Sequence, residues 1–237
     1  MRIVKYIAAC GVCSRRAAKD VIGQGRVRLN GHIVFDLNLQ VRPGKDRVQV
    51  DKREIQLKPK QYFLFYKPQK VICSRKDRLD RPTVYAYLPS EHLYIGGRLD
   101  YNSEGLLVVS NDGDFIHLLT HPAHEIQKTY RVKVRGVIQH GRFARMPGKV
   151  RTARETYQVD EVADIVHTRS NTWFNMVIHE GKNHEVRNIV QHFGLSVVRL
   201  IRLSVGPFCL ADLRPGELKA IDKELIRRFK ETYGSKS

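Results

Sequence analysis

The sequence lacks the features of membrane and secreted proteins. It contains no run of eighteen apolar residues, so no segment is suited to span a bilayer as a helix. It also lacks a basic amphipathic helix with a strong apolar face, which membrane-surface binding would require. The first residues, MRIVK, lack the apolar core of a signal peptide. We therefore expect a cytoplasmic protein without a membrane partner.

Cysteine is scarce, with four residues in 237. Cys10 and Cys13 form a C-x-x-C pair, but Cys73 and Cys209 are too far apart in sequence to form a second one. Zinc sites of this kind normally draw on two pairs at ligand spacing. The sequence therefore predicts no metal site, and it favours packing of the two small side chains at a helix end.

Acidic residues are also scarce, since 24 Asp and Glu face 42 Lys and Arg, for a net charge of +18. Residues 1–60 hold 14 basic against 5 acidic residues, a net +9, which is half of the excess. Such an excess predicts a polyanionic partner, through attraction to phosphates and release of counterions. The sequence has no P-loop and no G-x-G-x-x-G motif, so it gives no indication of a nucleotide cofactor.

The N-terminal segment combines a short helix with a hairpin. Ser14 is a suitable N-cap for a helix that ends near Gly23. One arc of this helix is apolar and the other carries like charges, which are costly unless an anion meets them. The charged residues are Arg15, Arg16 and Lys19. Asn30-Gly31, between two alternating runs, is a strong hairpin signal.

This arrangement, over residues 2 to about 50, resembles the small alpha-L RNA-binding domain first described in a ribosomal protein. The resemblance implies an α/β module whose Ser14, Arg15, Arg16 and Lys19 face RNA. Lys58-Pro59-Lys60 reads as a linker after it. We therefore predict an RNA-binding domain over residues 1–58 and a catalytic domain over residues 59–237.

Residues 96–105, GGRLDYNSEG, form the most distinctive stretch of the second segment. Apolar runs on both sides predict a strand, a loop and a second strand. The loop is bounded by glycines and presents one short carboxylate, Asp100. Such a loop suits a reactive side chain that meets a large ligand, and it equally suits an aspartate that caps a turn.

Four other segments have clear periodicity. Residues 62–68, YFLFYKP, read as a buried strand stopped by Lys-Pro, and residues 128–136 alternate with period two. Residues 185–193 repeat apolar side chains at helical spacing, and residues 196–207 read as a further strand. Residues 157–166 also read as one strand, and Pro82 is suited to the start of a helix.

Together these segments closely resemble the motifs of the bacterial ribosomal-RNA pseudouridine synthases, over nearly the whole chain. The resemblance implies an α+β fold, with a mixed, mainly antiparallel catalytic sheet flanked by helices. It implies that Asp100 is the catalytic residue, that Tyr130 stacks on the flipped target base, and that Arg187 pairs with Asp100. It also implies that Leu200 packs against that base.

The resemblance further implies RNA contacts at Arg98, Lys128, Lys182 and Asn183. Some positions depart from the commoner family pattern. Family members usually carry arginine where this chain has Lys182 and His184, and often where it has Asn188. We regard these departures as bearing on RNA contacts.

The function implied is isomerisation of uridine to pseudouridine in ribosomal RNA, by a monomer that needs no cofactor. The RPTV loop at 81–84 and the LIR strand at 200–202 favour large-subunit (23S) over small-subunit (16S) RNA. Two other classes remain open. One is a non-catalytic rRNA-binding or ribosome-assembly protein. The other is a carbohydrate hydrolase that uses Asp100 with Glu104 or Asp112, since glycoside hydrolysis requires two carboxylates.

Overall fold

The structure is a computed structural model that describes residues 1–138, 140–143, 145–153 and 155–234. Within these ranges the chain divides into two compact units. Unit 1 comprises residues 1–61 with the short segments 92–94 and 111–113, and unit 2 comprises the other described residues. The predicted boundary after residue 58 lies shortly before the division after Gln61.

Unit 1 contains two helices and a four-stranded sheet in the order β2-β1-β3-β4. Its elements are α1 (Ile3–Ala9), α2 (Arg15–Gly23), β1 (Val27–Leu29), β2 (His32–Ile33), β3 (Val48–Val50) and β4 (Arg53–Ile55). The predicted N-cap is confirmed, because the Ser14 hydroxyl accepts a 3.1 Å bond from the amide of Ala17. The Asn30-Gly31 hairpin is confirmed by the antiparallel pairing of β1 with β2.

The core of unit 1 is apolar and includes a cysteine. Ile7, Ile22 and Val27 are fully buried there, and Cys10 is buried among them. Burial raises the pKa of the Cys10 thiol to about 11, so the thiol stays protonated and packs as a small apolar group. Cys13 packs against the same core, half-buried, which agrees with the packing role predicted for the pair.

Unit 2 is built on β-strands with helices beside them. Its strands are β5 (Tyr62–Lys67), β6 (Tyr94–Gly96), β7 (Glu104–Ser110), β8 (Lys128–Arg135), β9 (Gly148–Arg151), β10 (Thr156–Val159), β11 (Glu161–His167), β12 (Asn171–Ile178), β13 (Val197–Val205), β14 (Phe208–Cys209) and β15 (Leu218–Ala220). Its helices are α3 (Gly113–Thr120), α4 (His140–Phe143), α5 (Glu185–His192) and α6 (Lys223–Gly234), with short 3-10 turns at Val84–Tyr87 and Pro122–His124.

A nine-stranded sheet organises unit 2, with β11-β12-β8-β13-β7-β5-β15 as its main path. Every pair along this path is antiparallel except β13 with β7, which is parallel. This mixed, mainly antiparallel sheet confirms the predicted α+β class. Phe115 of α3 and Phe229 of α6 meet Phe208 in edge and tilted ring contacts of 5.2 to 5.8 Å, which closes the core against one end of the sheet. No helix within the described residues is long and apolar enough to cross a membrane.

Two local predictions were wrong. The helix expected to start near Pro82 is only the 3-10 turn Val84–Tyr87. The single strand expected from Tyr157 to Val166 is two strands, β10 and β11, in different sheets. They separate at Asp160, whose amide donates to Val177 and whose carboxylate lies 2.8 Å from His179 Nδ1. These long-range contacts end β10, and alternation along the sequence does not reveal them.

Gly105 allows the parallel pairing that places the Asp100 loop beside β13. A Cβ atom at Gly105 would lie 2.4 Å from the carbonyl oxygen of Arg202 and 2.5 Å from its amide nitrogen. Its φ of +112° is also one that side-chain-bearing residues rarely adopt. The backbones of β7 and β13 therefore approach each other so closely at Gly105 that a residue with a side chain does not fit there.

We expect Gly105→Ala to destabilise unit 2 by more than about 3 kcal/mol, because overpacking and an unfavourable φ act together. The measurement is the urea midpoint of the full chain, with Gly141→Ala as the control. Among the described residues, no heavy atom lies within 4 Å of a Cβ built on Gly141, and its φ is outside the left-handed region. A Gly105→Ala midpoint equal to the control's would show that β7 and β13 have room to separate.

Candidate active site

A cleft of about 330 Å³ opens on unit 2, where the Asp100 loop, β8, β13 and the start of α5 converge. Asp100, Tyr130, Arg187 and Leu200 all line it. These residues are far apart in sequence, and the parallel and antiparallel pairings of β13 bring their elements together. The structure therefore places all four catalytic candidates around one space.

Three side chains converge on one oxygen of the Asp100 carboxylate. His184 Nδ1 lies 3.3 Å from Asp100 Oδ2, Arg187 Nε lies 3.7 Å from it, and the Ser103 hydroxyl donates to it at 3.5 Å. Arg187 Nη2 also donates to Ser103 Oγ at 3.2 Å. The carboxylate is one-third exposed, so a ligand in the cleft can reach it. Arg187 thus orients the carboxylate both directly and through Ser103.

A buried lysine holds the loop that carries Asp100. Lys67, at the end of β5, is fully buried and donates to the carbonyls of Pro68, Asp100 and Ser103 at 3.0, 3.1 and 2.7 Å. Burial lowers the pKa of Lys67 to about 8. No role for Lys67 is predicted from the sequence. The signal that could have identified it is a lysine at the end of an otherwise apolar strand, since buried lysines are rare unless their ammonium group is bonded.

Glu104 is fully engaged inside the protein. Arg199 binds its carboxylate through two bonds of 2.6 and 3.1 Å, and Tyr66 and Gln69 donate to it at 3.1 and 2.8 Å. Burial alone would raise the pKa of Glu104, but the bonds from Arg199, Tyr66 and Gln69 lower it below its usual value. Asp112, in unit 1, is buried and paired with Lys60 at 3.3 Å. Neither carboxylate is therefore available as the second acid that a hydrolase requires.

The sheet provides the apolar wall of the cleft. Tyr130 lies opposite Arg202 in the pairing of β8 with β13, and Leu200 lies opposite Val132, so all four side chains share one face. Tyr130 is 8% exposed and Leu200 is 4% exposed. Arg202, also in the wall, is buried and donates from Nε to the carbonyl of Leu106 at 2.8 Å. An aromatic ring and an aliphatic side chain on one face suit a flat, partly apolar ligand.

Lys128 lines the cleft, but its ammonium group is already hydrogen-bonded within the protein. It donates to the carbonyls of Ile126, His179 and Glu180 at 2.8, 3.0 and 2.8 Å. Burial lowers the pKa of Lys128 to about 8. Because an ammonium group has three donors, Lys128 has none left for a phosphate, and it acts to hold the chain between β12 and α5.

The remaining RNA-contact candidates lie in different places. Arg98 and Lys182 line the cleft, with Lys182 also bonded to the carbonyl of Thr156. Asn183 is exposed, and its carbonyl accepts a bond from Asn188. On unit 1, the basic residues of α2, which are Arg15, Arg16 and Lys19, are all exposed and lie next to the cap residue Ser14.

Glu185, the first residue of α5, is a buried carboxylic acid in the cleft wall. Its Oε2 accepts a 2.9 Å bond from the amide of Lys182, and its Oε1 is enclosed with no hydrogen-bond partner among the residues that the structure describes. Burial raises the pKa of Glu185 to about 7, and Glu180 adds to the rise, while the Lys182 amide bond and the charges of Lys182 and Lys128 oppose it. The ionised form is therefore a cost to the folded state near neutral pH.

We expect Glu185→Gln to stabilise the protein at pH 8 and much less at pH 5. A folded pKa of about 7 against the usual 4.5 means that wild type loses stability as pH rises between these values. Glutamine removes that loss, which is about 3 kcal/mol at pH 8 and below about 1 kcal/mol at pH 5. Urea denaturation at both pH values measures the effect. An equal difference at both would show that Glu185 has the same protonation in the folded and unfolded chains.

Among the residues that the structure describes, no group of three or more histidine, cysteine, aspartate or glutamate side chains is arranged to hold a metal ion. The groups around the Asp100 carboxylate are instead a guanidinium, an imidazole and a hydroxyl. This set is suited to binding an anionic, hydroxyl-rich ligand and to acting on it with Asp100.

Comparison with known families gives two matches. Residues 61–192, more than half of the chain, match the family model described as RNA pseudouridylate synthase. Residues 1–48 match the model of the S4 domain. The first range contains Asp100, Tyr130 and Arg187, and the second contains the basic helix α2.

Individual proteins match over nearly the full length of the chain. An uncharacterized RNA pseudouridine synthase of Aquifex aeolicus is 32% identical, over 97% of this chain and 94% of its own. The ribosomal large subunit pseudouridine synthase B of Bacillus subtilis is 31% identical, over 97% and 95%. A crystal structure of a pseudouridylate synthase superposes with a TM-score of 0.65 at 27% identity, over 97% of this chain and 99% of that one. The chain therefore belongs to the RNA pseudouridylate synthase family, and it is a pseudouridine synthase with an S4 domain before its catalytic region.

Proposed function

We propose that this enzyme converts a specific uridine of ribosomal RNA to pseudouridine, that the RNA is the large-subunit (23S) species, and that Asp100 is the catalytic residue. The observation that carries the catalytic part is the convergence of Arg187, His184 and Ser103 on the Asp100 carboxylate. The name of the Bacillus subtilis relative supports the large-subunit target. The exposed basic residues of α2 support an RNA partner.

The reaction is an isomerisation, so its atoms balance without a cofactor. The bond between N1 and C1′ breaks, a bond between C5 and C1′ forms, the C5 hydrogen leaves as a proton, and N1 gains a proton. Asp100 acts on the sugar, either by attacking C1′ or by assisting formation of a glycal. Both routes use a carboxylate that is oriented towards the sugar, as in glycosyl transfer.

The target base must leave its stack to reach Asp100, which costs a few kcal/mol. Tyr130 and Leu200 offset this cost, since both lie on the sheet face that forms the cleft wall. Stacking of one base on an aromatic ring is worth about 1–3 kcal/mol. Contacts of Arg98 and Lys182 with the RNA backbone, and of α2 with neighbouring phosphates, supply the rest.

Substituting the three basic residues of α2 should weaken the electrostatic part of binding. Affinity falls as salt rises, so the slope of log affinity against log salt is negative. We expect the triple variant Arg15→Gln, Arg16→Gln, Lys19→Gln to make this slope shallower by up to about 2–3. The measurement is fluorescence anisotropy of an rRNA fragment between about 50 and 300 mM salt. Over this range an affinity that depends on phosphate contacts falls steeply with salt.

The control for this variant removes equal charge elsewhere. Arg214, Lys219 and Lys223, all exposed in unit 2, are changed to glutamine together. Equal slopes for the two triple variants would mean that the effect follows net charge and that α2 makes no particular contact.

The RNA target is identified by mapping pseudouridine in both rRNAs of a strain that lacks the gene. We expect one large-subunit site to be lost, to return with the wild-type gene, and to stay absent with Asp100→Asn. Loss of a small-subunit site would reassign the target. Unchanged modification in both RNAs would favour a non-catalytic ribosome-assembly role.

We also propose that the enzyme acts as a monomer in the cytoplasm. All four catalytic candidates come from one chain and line one cleft, so no second copy is needed to complete the site. The cytoplasmic location follows from the proposed rRNA substrate. Sedimentation of the purified protein, alone and with an rRNA fragment, measures the stoichiometry.

A further inference from the structure

His184 stands immediately before α5 and points its imidazole at Asp100. Its backbone has φ 54° and ψ 22°, in the left-handed region, where few residues other than glycine are found. Its carbonyl accepts the first helical bond from Asn188, but its side chain makes no capping bond. Strained backbone of this kind is retained where the surroundings require it, typically at functional sites.

The imidazole of His184 is accessible from the cleft and lies beside the Asp100 carboxylate. The side chain is 51% exposed, it lines the cleft, and its Nδ1 lies 3.3 Å from Asp100 Oδ2. Nε2 takes no part in the contact with Asp100. In the neutral tautomer that carries its proton on Nδ1, Nε2 has a free lone pair and is the group able to accept a proton.

The proposed reaction needs such an acceptor. After C5 bonds to C1′, C5 holds both the sugar and its original hydrogen, which must leave as a proton to restore the ring. Arginine side chains of the cleft are always protonated, and the ammonium of Lys128 is bound to three carbonyls. Glu185 has one oxygen bonded to the Lys182 amide and the other enclosed, so it cannot meet a base in the cleft.

We propose that His184 is a catalytic residue, the base that removes the C5 proton in the second half of the isomerisation. This inference rests on the proposed function. Nε2 takes the proton from C5, and the electrons of that C–H bond restore the C5–C6 double bond. The half-exposed imidazolium then passes the proton to water, and N1, which kept the electron pair of the broken N1–C1′ bond, takes a proton from water. No proton is gained or lost overall.

The test compares substrate RNAs that carry protium or deuterium at C5 of the target uridine. Single-turnover rates are measured with saturating wild-type enzyme, His184→Gln and His184→Ala, the last with and without added imidazole. His192→Gln is the control, because His192 is an exposed histidine at the other end of α5. Thermal melts verify that each variant is folded.

For both His184 variants we expect a rate about 10²–10⁴-fold below wild type, the usual contribution of a positioned base. Deuterium should slow them further, because C5–H cleavage then limits the rate, and imidazole should restore part of the rate of His184→Ala. The His192→Gln rate should match wild type, with no added isotope effect.

Three results would overturn the proposal. One is a folded His184→Gln with a near wild-type rate. Another is a slow variant that shows no deuterium effect and no imidazole rescue, which would mean that His184 only positions Asp100. The third is a deuterium isotope effect that appears in Tyr130→Phe and is absent from the His184 variants. Failure of wild type to form any pseudouridine would count against the proposed function itself, which separates the two claims.

Discussion

Asp100→Asn is expected to abolish pseudouridine formation and to leave rRNA binding within a few-fold of wild type. The amide keeps the shape of the side chain but removes the charged oxygen on which Arg187 and His184 converge. Removing a catalytic nucleophile typically costs several powers of ten in rate, so we expect at least about a 10⁴-fold loss. The basic surface is unchanged, and phosphate contacts dominate affinity.

The rate is measured at saturating enzyme, and affinity by anisotropy on the same rRNA fragment. Mass spectrometry of the variant excludes reversion of the amide to the acid. The matched control is Asp212→Asn, because Asp212 is a highly exposed surface carboxylate whose neighbour is Lys219. Turnover by verified Asp100→Asn above about one ten-thousandth of wild type would remove Asp100 from the catalytic role.

Arg187→Met is expected to harm catalysis far more than folding. Breaking a fully buried ion pair costs about 3–5 kcal/mol, but Arg187 and Asp100 are 28% and 33% exposed, so water can solvate the carboxylate left behind. We expect a loss of stability of about 1 kcal/mol or less, as for exposed pairs. The catalytic rate should fall about 10²–10³-fold, the scale for a lost charge-orienting donor.

Urea denaturation and single-turnover kinetics on one preparation give both quantities. Arg228→Met is the control, since Arg228 lies on α6 and is 72% exposed. Recovery of only unfolded Arg187→Met at room temperature would show that the arginine is structural.

Much of the fold follows from local patterns. The Ser14 cap, the Asn30-Gly31 hairpin and the alternation of β8 depend on neighbouring residues, and the structure confirms them. The break between β10 and β11 depends instead on the bonds of Asp160 with distant residues, so periodicity failed there. The short 3-10 turn near Pro82 shows that a residue suited to a helix start does not ensure a helix.

The catalytic candidates came from family resemblance, because spacing along the chain does not relate Asp100 to Arg187. The groups that hold the site were not predicted. Lys67 and Lys128 bind backbone carbonyls of distant segments, and composition counts them only as part of the basic excess. The family resemblance implies an RNA contact for Lys128, and the three carbonyls that it binds are visible only in the fold. The sequence shows that this chain has His184 where family members usually carry arginine. Only the folded structure shows that His184 lies next to Asp100.

Release of tritium from rRNA whose uridines are labelled at C5 tests the proposed isomerisation most directly. The purified enzyme is incubated with the labelled transcript, and Asp100→Asn is assayed in parallel. We expect wild type to release label into water in step with pseudouridine formation, and the variant to release none. A transcript that stays bound by wild type and keeps its label would contradict the proposed isomerisation.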